Sequence, residues 1–321
     1  MAILHYTEAT GGLPNSGRLS GTDGDLVGIL DIALVANGWT IDFSTGNARI
    51  YRAASGNRFR LYVNDAAAIS GDARLSVVRG CESASAASNA GIVDPFPTAA
   101  KIADGSSNWI KSTTASTTAR NFDIFVAPTW VAYFINFGGV TNIWDFGWFG
   151  DISPALSGDS YSTVCVVRNV ATTATISNSL DGTASGTGNL SWNLCRSYDG
   201  TVKATTGGVW AQISGKMGTI SVAPQAQLGP STGIDRFKAV TLDTGSATTS
   251  GSSTLALPQR GYIPNIWVPL HGGRGSVNSR DTFTDTSYNA SSAFTLFCVA
   301  AAAGSGFVIM ETSDTWSPPS G

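Results

Sequence analysis

Short apolar runs at a spacing of two dominate this chain. In residues 58–63, Phe59, Leu61 and Val63 fall on one face while Arg58, Arg60 and Tyr62 fall on the other. That alternation is the period of a half-buried strand. Residues 48–52 precede it across Ala53-Ala54-Ser55-Gly56-Asn57, so the two runs predict a hairpin. Residues 74–80 predict the next strand. Residues 121–126 and 130–135 predict a second hairpin around Ala127-Pro128-Thr129. Residues 141–149 form the most aromatic stretch, and 162–169 are strongly β-branched. Runs at 262–270, 293–300 and 305–311 close the series ahead of an extended Trp316-Ser317-Pro318-Pro319 tail. Asp94-Pro95-Phe96-Pro97 is barred from a central strand, because neither proline has an N–H to donate.

The period changes once. Leu26, Ile29, Leu30, Ala33 and Leu34 recur at helical spacing. Thr22 or Asp23 is placed to cap this helix, Asp25 suits the positive end of its dipole, and Asn37-Gly38 stops it. One short N-terminal helix is therefore predicted at about 24–37. No helical crossover follows residue 38, and parallel strands need crossovers. The fold class predicted is all-β, with mainly antiparallel sheets in a sandwich or jelly-roll-like arrangement. The chain, 321 residues long, reads as an N-terminal β domain over 1–155 and a C-terminal β-rich domain over 156–321. Low-complexity Gly/Ser/Thr/Ala/Asn stretches near 170–191 and 241–254 are long for a compact domain and point to an interface or a binding role.

Composition sharpens this picture. Charged residues make up 13% of the chain, against roughly 25% in ordinary soluble proteins. Solubility must rest on hydroxyls, amides and backbone, as in β-rich proteins that are secreted or packed into assemblies. The formal net charge of −3 offers no basic surface for nucleic acid or anionic lipid. No apolar run is long enough for a transmembrane helix, and the first residues lack the basic and apolar regions of a secretory signal. Synthesis in a cytoplasm is the expectation. Cys81, Cys165, Cys195 and Cys298 form no CxxC pair, and the settings of Cys165 and Cys298 read as buried strand thiols. All four are expected free.

Candidate chemistry is sparse. His5 and His271 are far apart and in no metal-ligand spacing. Gly272-Gly273-Arg274-Gly275 lacks the strand and helix that a phosphate loop requires, and no nucleophile elbow occurs. A glycosidase needs two carboxyls across a sugar. Asp145, flanked by Trp144, Phe146 and Trp148, is the best single residue for that, and the alternative is an aromatic core strand with Asp145 at its edge. Trp144, Asp145 and Trp148 are thus the candidate interface or glycan contacts. Asp23 with Asp25, and Asp281 with Asp285, offer oxygen pairs without an EF-hand pattern. The sequons at Asn189 and Asn289 read as chance in an Asn- and Ser-rich chain. No catalytic residue, metal or cofactor is predicted. Arg49, Arg52, Arg58, Arg60, Arg74 and Arg79 alternate with apolar residues and read as a solvated sheet face, or as an interface paired with another subunit.

A string of short motifs carries a family resemblance. It runs from Ile3-Leu4-His5-Tyr6-Thr7 and Leu19-Ser20-Gly21-Thr22 through the helix to residues 38–52. It continues with Gly56-Asn57-Arg58-Phe59, Leu61-Tyr62-Val63-Asn64-Asp65, Val78-Arg79-Gly80 and Pro95-Phe96-Pro97-Thr98, ending near Phe149-Gly150-Asp151-Ile152. This order resembles a group of uncharacterised structural proteins of tailed bacteriophages over residues 1 to about 155. The loop between the helix and Trp39 is shorter than in that pattern, and the Cys81-Glu82 segment differs. The resemblance implies a non-enzymatic virion component of capsid, collar or tail, assembled in the host cytoplasm. It implies other virion proteins as partners, a homo-oligomer, and no direct contact with nucleic acid or membrane. The rival expectations are a carbohydrate- or receptor-binding module at a tail tip and, behind it, a glycosidase.

Overall fold

The computed structural model describes residues 2–138, 144–170, 190–196, 200, 209–211, 236–243, 259–269, 278–284, 293–299 and 306–317. The low-complexity residues 171–189 and 244–254, His271 with its glycine loop, Asp285, and both sequon asparagines lie outside them, as does the Cys298 side chain. The described chain is mostly β, with a large curled antiparallel sheet, a second sheet and few helices.

The strands in chain order are β1 (Leu4–Thr7), β2 (Thr40–Thr45), β3 (Ala48–Arg52), β4 (Arg60–Asn64), β5 (Leu75–Ala84), β6 (Ile92–Phe96), β7 (Ser107–Ile110), β8 (Phe122–Ala127), β9 (Trp130–Ile135) and β10 (Asp145–Asp151). They continue as β11 (Ser153–Pro154), β12 (Thr163–Asn169), β13 (Leu190–Leu194), β14 (Val209–Ala211), β15 (Arg236–Asp243), β16 (Gln259–Pro269), β17 (Thr282–Thr284), β18 (Ala293–Val299) and β19 (Gly306–Glu311). The helices are α1 (Asp25–Val35) and the four-residue α2 (Ala67–Ser70). The first sheet runs β1-β8-β9-β10-β12-β7-β5-β4-β3-β2, with β13 on β12 and β6 on β5. The second runs β14-β15-β16-β19-β18-β17, with β11 on β16. Every described pairing is antiparallel, as the missing crossovers predict. Strands β12 and β13, beyond residue 155, belong to the first sheet. The proline-bearing β6 pairs with β5 alone, so the missing N–H of Pro95 interrupts no inner ladder.

Both faces of the first sheet's centre are covered. On β9, Val131, Tyr133 and Ile135 face the core containing α1, while Trp130, Ala132 and Phe134 face the second sheet. This double burial explains why 122–127 and 130–135 read as almost continuous apolar runs. The sheet curls around α1, whose Leu26, Ile29, Leu30, Ala33 and Leu34 pack against Tyr51, Leu61, Val63 and Ile124. The opposite face meets Ile263, Ile266, Phe297, Val308 and Met310 of the second sheet. Phe297 is the centre of that seam. It stacks on Phe134 at 4.0 Å and meets Phe125 and Trp144 edge-on at 6.2 and 5.4 Å.

The helix ends where the sequence stops it: Gly38 takes φ +82° and Trp39 N–H donates to the Leu34 carbonyl at 3.1 Å. Its start differs from expectation. Neither Thr22 nor Asp23 caps it. The cap is Asp65, from the end of β4, whose Oδ2 accepts from Leu26 N–H at 2.8 Å and Val27 N–H at 3.5 Å. A buried carboxylate serves here because the orphan amides and helix dipole offer it partners. Asp25 instead accepts from Asn15 Nδ2 at 2.6 Å and from Ser20 Oγ.

Truncation of Phe297 tests the seam. Phe297→Ala is expected to lower unfolding stability by about 3–5 kcal/mol, the range for a buried aromatic cut to alanine, read from urea denaturation. A loss under about 1 kcal/mol would mean that the ring is not packed as described.

Candidate functional site

Trp144, Asp145 and Trp148 all lie inside the molecule, with the two indoles on one face of the strand and Asp145 at a position of the opposite face. They are 2%, 1% and 0% exposed. Trp144 and Trp148 point into the seam between the sheets, and Asp145 opens β10 opposite Ile135. Arg168 Nε donates to Asp145 Oδ1 at 2.7 Å, with both side chains 1% exposed. The aromatic run therefore builds core. Its rings present no face to a sugar in solution, and its carboxylate is matched by a buried guanidinium. Gly147 lies between the tryptophans because Trp109 crosses its other face. A Cβ there would meet Trp109 Nε1 at 2.3 Å.

The strongest polar cluster was not legible as a motif. Arg280, just ahead of β17, reaches the first sheet and donates from Nε to Asp123 Oδ2 at 2.7 Å. Its Nη1 and Nη2 each donate to a Glu8 oxygen at 2.7 Å, and Nη2 also to the Phe122 carbonyl at 2.8 Å. His5 Nε2 lies 2.7 Å from the other Asp123 oxygen, its ring stacked on Phe125 at 4.1 Å. The Arg280 guanidinium also lies 5.0 Å over the Trp144 ring. This fork is a clasp between the sheets. Burial pushes the Glu8 carboxyl up, but hydrogen bonds and charge from Arg280 outweigh it and leave the group below its ordinary value. Burial likewise opposes the Arg280 charge, and Glu8 with Asp123 overcomes it, holding the guanidinium above its usual value.

The arginines of the first third are not an open basic face. Arg49 pairs with Asp31, Arg52 and Arg60 with Asp42, and Arg74 with Asp72. Arg79 departs furthest from the solvated-face reading. It is 2% exposed, 2.6 Å from Asp104, and donates to the Ile102 carbonyl at 2.8 Å. These partners come from the same chain. Asp23 accepts from Ala67 N–H at 3.1 Å, so it and Asp25 serve local backbone and side-chain donors. Cys81, Cys165 and Cys195 are free and buried. Burial pushes the Cys81 and Cys195 thiols up to about 12 and raises Cys165 too, which keeps all three protonated at neutral pH.

One cleft opens at the end of the seam. It encloses about 310 Å³ and is walled by Trp130, Asp151 and Ile152 of the first sheet's rim, Pro264 and Asn265 of β16, and Asp314 and Trp316 of the C-terminal segment. Asn265 takes φ +60° and donates from Nδ2 to the Glu311 carbonyl at 3.0 Å. Asp314 Oδ1 accepts from Ile3 N–H at 3.1 Å. Asp151 accepts from Asn57 N–H at 2.6 Å and Thr163 Oγ1 at 2.5 Å. Burial pushes its carboxyl above the ordinary value despite those bonds. Both Asp151 oxygens are thus spent on holding the 55–57 loop and β12. The lining has carboxylates and indoles and, among the described residues, no Lys, Arg or His.

Comparison with protein families finds no matching family model, and comparison with curated proteins finds no match.

The clasp has a pH signature. Because the folded Glu8 value is depressed, its contribution is complete above the ordinary glutamate range, about 4.3, and is lost as pH falls through the lower folded value. Glu8→Gln is expected to cost about 1 kcal/mol at neutral pH, the upper end for a partly solvated pair. The gap to the parent protein closes as the solution is acidified, followed by urea midpoints at each pH. A gap that stays constant with pH would contradict this assignment.

Proposed function

We propose that this chain is a structural component of a tailed-phage virion, an accessory protein of capsid, collar or tail that acts by protein–protein contacts. The observation that carries the reading is the deployment of charge. Arginines 49, 52, 60, 74, 79, 168, 196, 260 and 280 are paired with carboxylates of their own chain, while Arg18 donates to a backbone carbonyl, Arg120 to hydroxyls, and Arg58 is exposed. Most of the arginine charge is thus already matched, which lowers the desolvation cost of burying the surface against a partner. Sheet-edge strands such as β2, whose residues are half-buried or exposed, and β17 offer backbone for docking. The resemblance of residues 1–155 to tailed-phage structural proteins points the same way, and symmetric copies fit such an assembly. Under this reading the buried carboxylates are structural and no turnover is involved.

Quantitative mass spectrometry of purified particles, with immunogold labelling to place the protein, tests the proposal. A fixed copy number per particle is expected, on head or tail. Absence from mature particles, or substrate turnover by the isolated protein, would overturn it.

The cleft favours a second reading, a carbohydrate- or receptor-binding module, with the contact moved from the buried Trp144 and Trp148 to the half-buried Trp316. An indole beside carboxylate and amide oxygens suits a neutral sugar, and the volume is at the small end of the roughly 300–1,000 Å³ typical of ligand clefts. Neutral oligosaccharides are then expected to quench tryptophan fluorescence in the parent protein and not in Trp316→Ala. No quenching by any neutral glycan would remove this reading.

A further inference from the structure

Lys111 and Asp65 are both 0% exposed and in direct contact, Nζ to Oδ1. Lys111 follows β7 and Asp65 follows β4, so the contact joins two segments of the first sheet beneath the start of α1. The surroundings are organised around the carboxyl. Oδ2 accepts from Leu26 N–H at 2.8 Å at the positive end of α1. Oδ1 accepts from Ser76 Oγ at 2.7 Å. Lys111 Nζ also donates to the Thr22 carbonyl at 2.6 Å, which fixes the nitrogen beside the carboxyl group.

From this geometry we propose that Lys111 and Asp65 condense, after folding, into an intramolecular isopeptide bond. A dry site disfavours two opposite charges relative to a neutral amine and a neutral acid. Proton transfer across the Nζ–Oδ1 hydrogen bond gives that neutral pair. The Nζ lone pair then attacks Cγ. The backbone N–H of Leu26 stabilises the charge that develops on Oδ2, as an oxyanion-hole donor does. The Cγ–Nζ bond forms and the Cγ–Oδ1 bond breaks. Oδ1 departs as water, carrying the acid proton and one amine proton, with Ser76 Oγ placed to hydrogen-bond to it as it leaves. No oxidant or reductant is consumed. Proximity supplies much of the drive, since the reacting groups are held in contact by the fold. Oδ2 survives as the amide carbonyl, so the cap on α1 is kept, and the remaining Nζ–H can still face the Thr22 carbonyl.

Two features beyond the contact agree with this chemistry. Burial raises the Asp65 carboxyl above its ordinary value, against the pull of Lys111, Ser76 and Leu26, which favours the protonated acid that condensation requires. The Tyr133 hydroxyl donates to the Ile110 carbonyl at 2.7 Å and so pins the backbone next to Lys111. The link would close the chain between positions 65 and 111 with a covalent tie, independent of where the protein acts.

Intact-mass spectrometry of the denatured full-length protein tests the bond directly. Allowing for loss of Met1, the parent protein is expected to be one water lighter than its sequence. Digestion should release a branched peptide joining the segments around Asp65 and Lys111. Lys111→Arg, which keeps the charge and cannot form the link, should show its full mass. Full sequence mass in the parent would overturn the proposal. So would a deficit that Lys111→Arg retains, or one whose branched or dehydrated peptide maps elsewhere, because either places the lost water at another site.

Discussion

The centre of the first sheet is covered on both sides, by α1 and the sheet's own curl on one face and by the second sheet on the other, and that double burial governs the rest of the molecule. A strand with two dry faces has no position at which an unpaired charge is tolerated. On β8, Phe122, Ile124 and Val126 serve one core while Phe125 and Ala127 serve the other. Each buried large apolar side chain contributes about 1.5–3 kcal/mol by leaving water. Some polar tips in these layers find a partner, as where Trp39 Nε1 donates to the Ala127 carbonyl and Trp109 Nε1 to the Val166 carbonyl, both at 2.8 Å, while the buried Trp148 and Trp192 Nε1 atoms have none among the described residues.

The low charge content follows from the same constraint. With little charge to place, the chain uses it where distant segments must be fixed to one another. Arg280 reaches Glu8 across 272 positions, and Arg260 is 2.5 Å from Asp159 with both side chains almost fully buried. Such pairs add little net stability where they replace water on both sides, but breaking one leaves an uncompensated charge inside. They therefore specify which packing is adopted. Internally matched arginines together with sheet-edge strands are the combination on which the virion proposal rests.

Much of this architecture was legible in the sequence. Short apolar and β-branched runs located β3, β4, β5, β8, β9, β12, β16, β18 and β19, and one helical period located α1 with its Gly38 stop. Strand β2 was missed as an element because Thr40–Thr45 is an edge strand with a register shift between Ile41 and Phe43, so its pattern is weak. Helix α2 spans one turn and leaves no periodic signal. The candidate site was harder, for a physical reason. Sequence shows that Trp144, Asp145 and Trp148 share a strand, but not that a second sheet covers the face bearing the two indoles. Likewise the clasp at Arg280 and the cleft at Trp130 and Trp316 are assembled from segments more than a hundred residues apart. Local spacing carries no trace of such pairings. A glutamate beside Ala9 and an arginine beside Asp281 look like ordinary surface residues until the fold joins them.

Native-state hydrogen exchange resolved by segment is the most direct measure of whether the two sheets form one body through their aromatic seam. Amides of β9, β10 and β12 and those of β18 and β19 should then exchange with one common opening free energy and lose protection together as denaturant is added. Exchange of β18 and β19 by a separate, lower-energy opening, with the first sheet still protected, would show that the double burial is not what holds the molecule together.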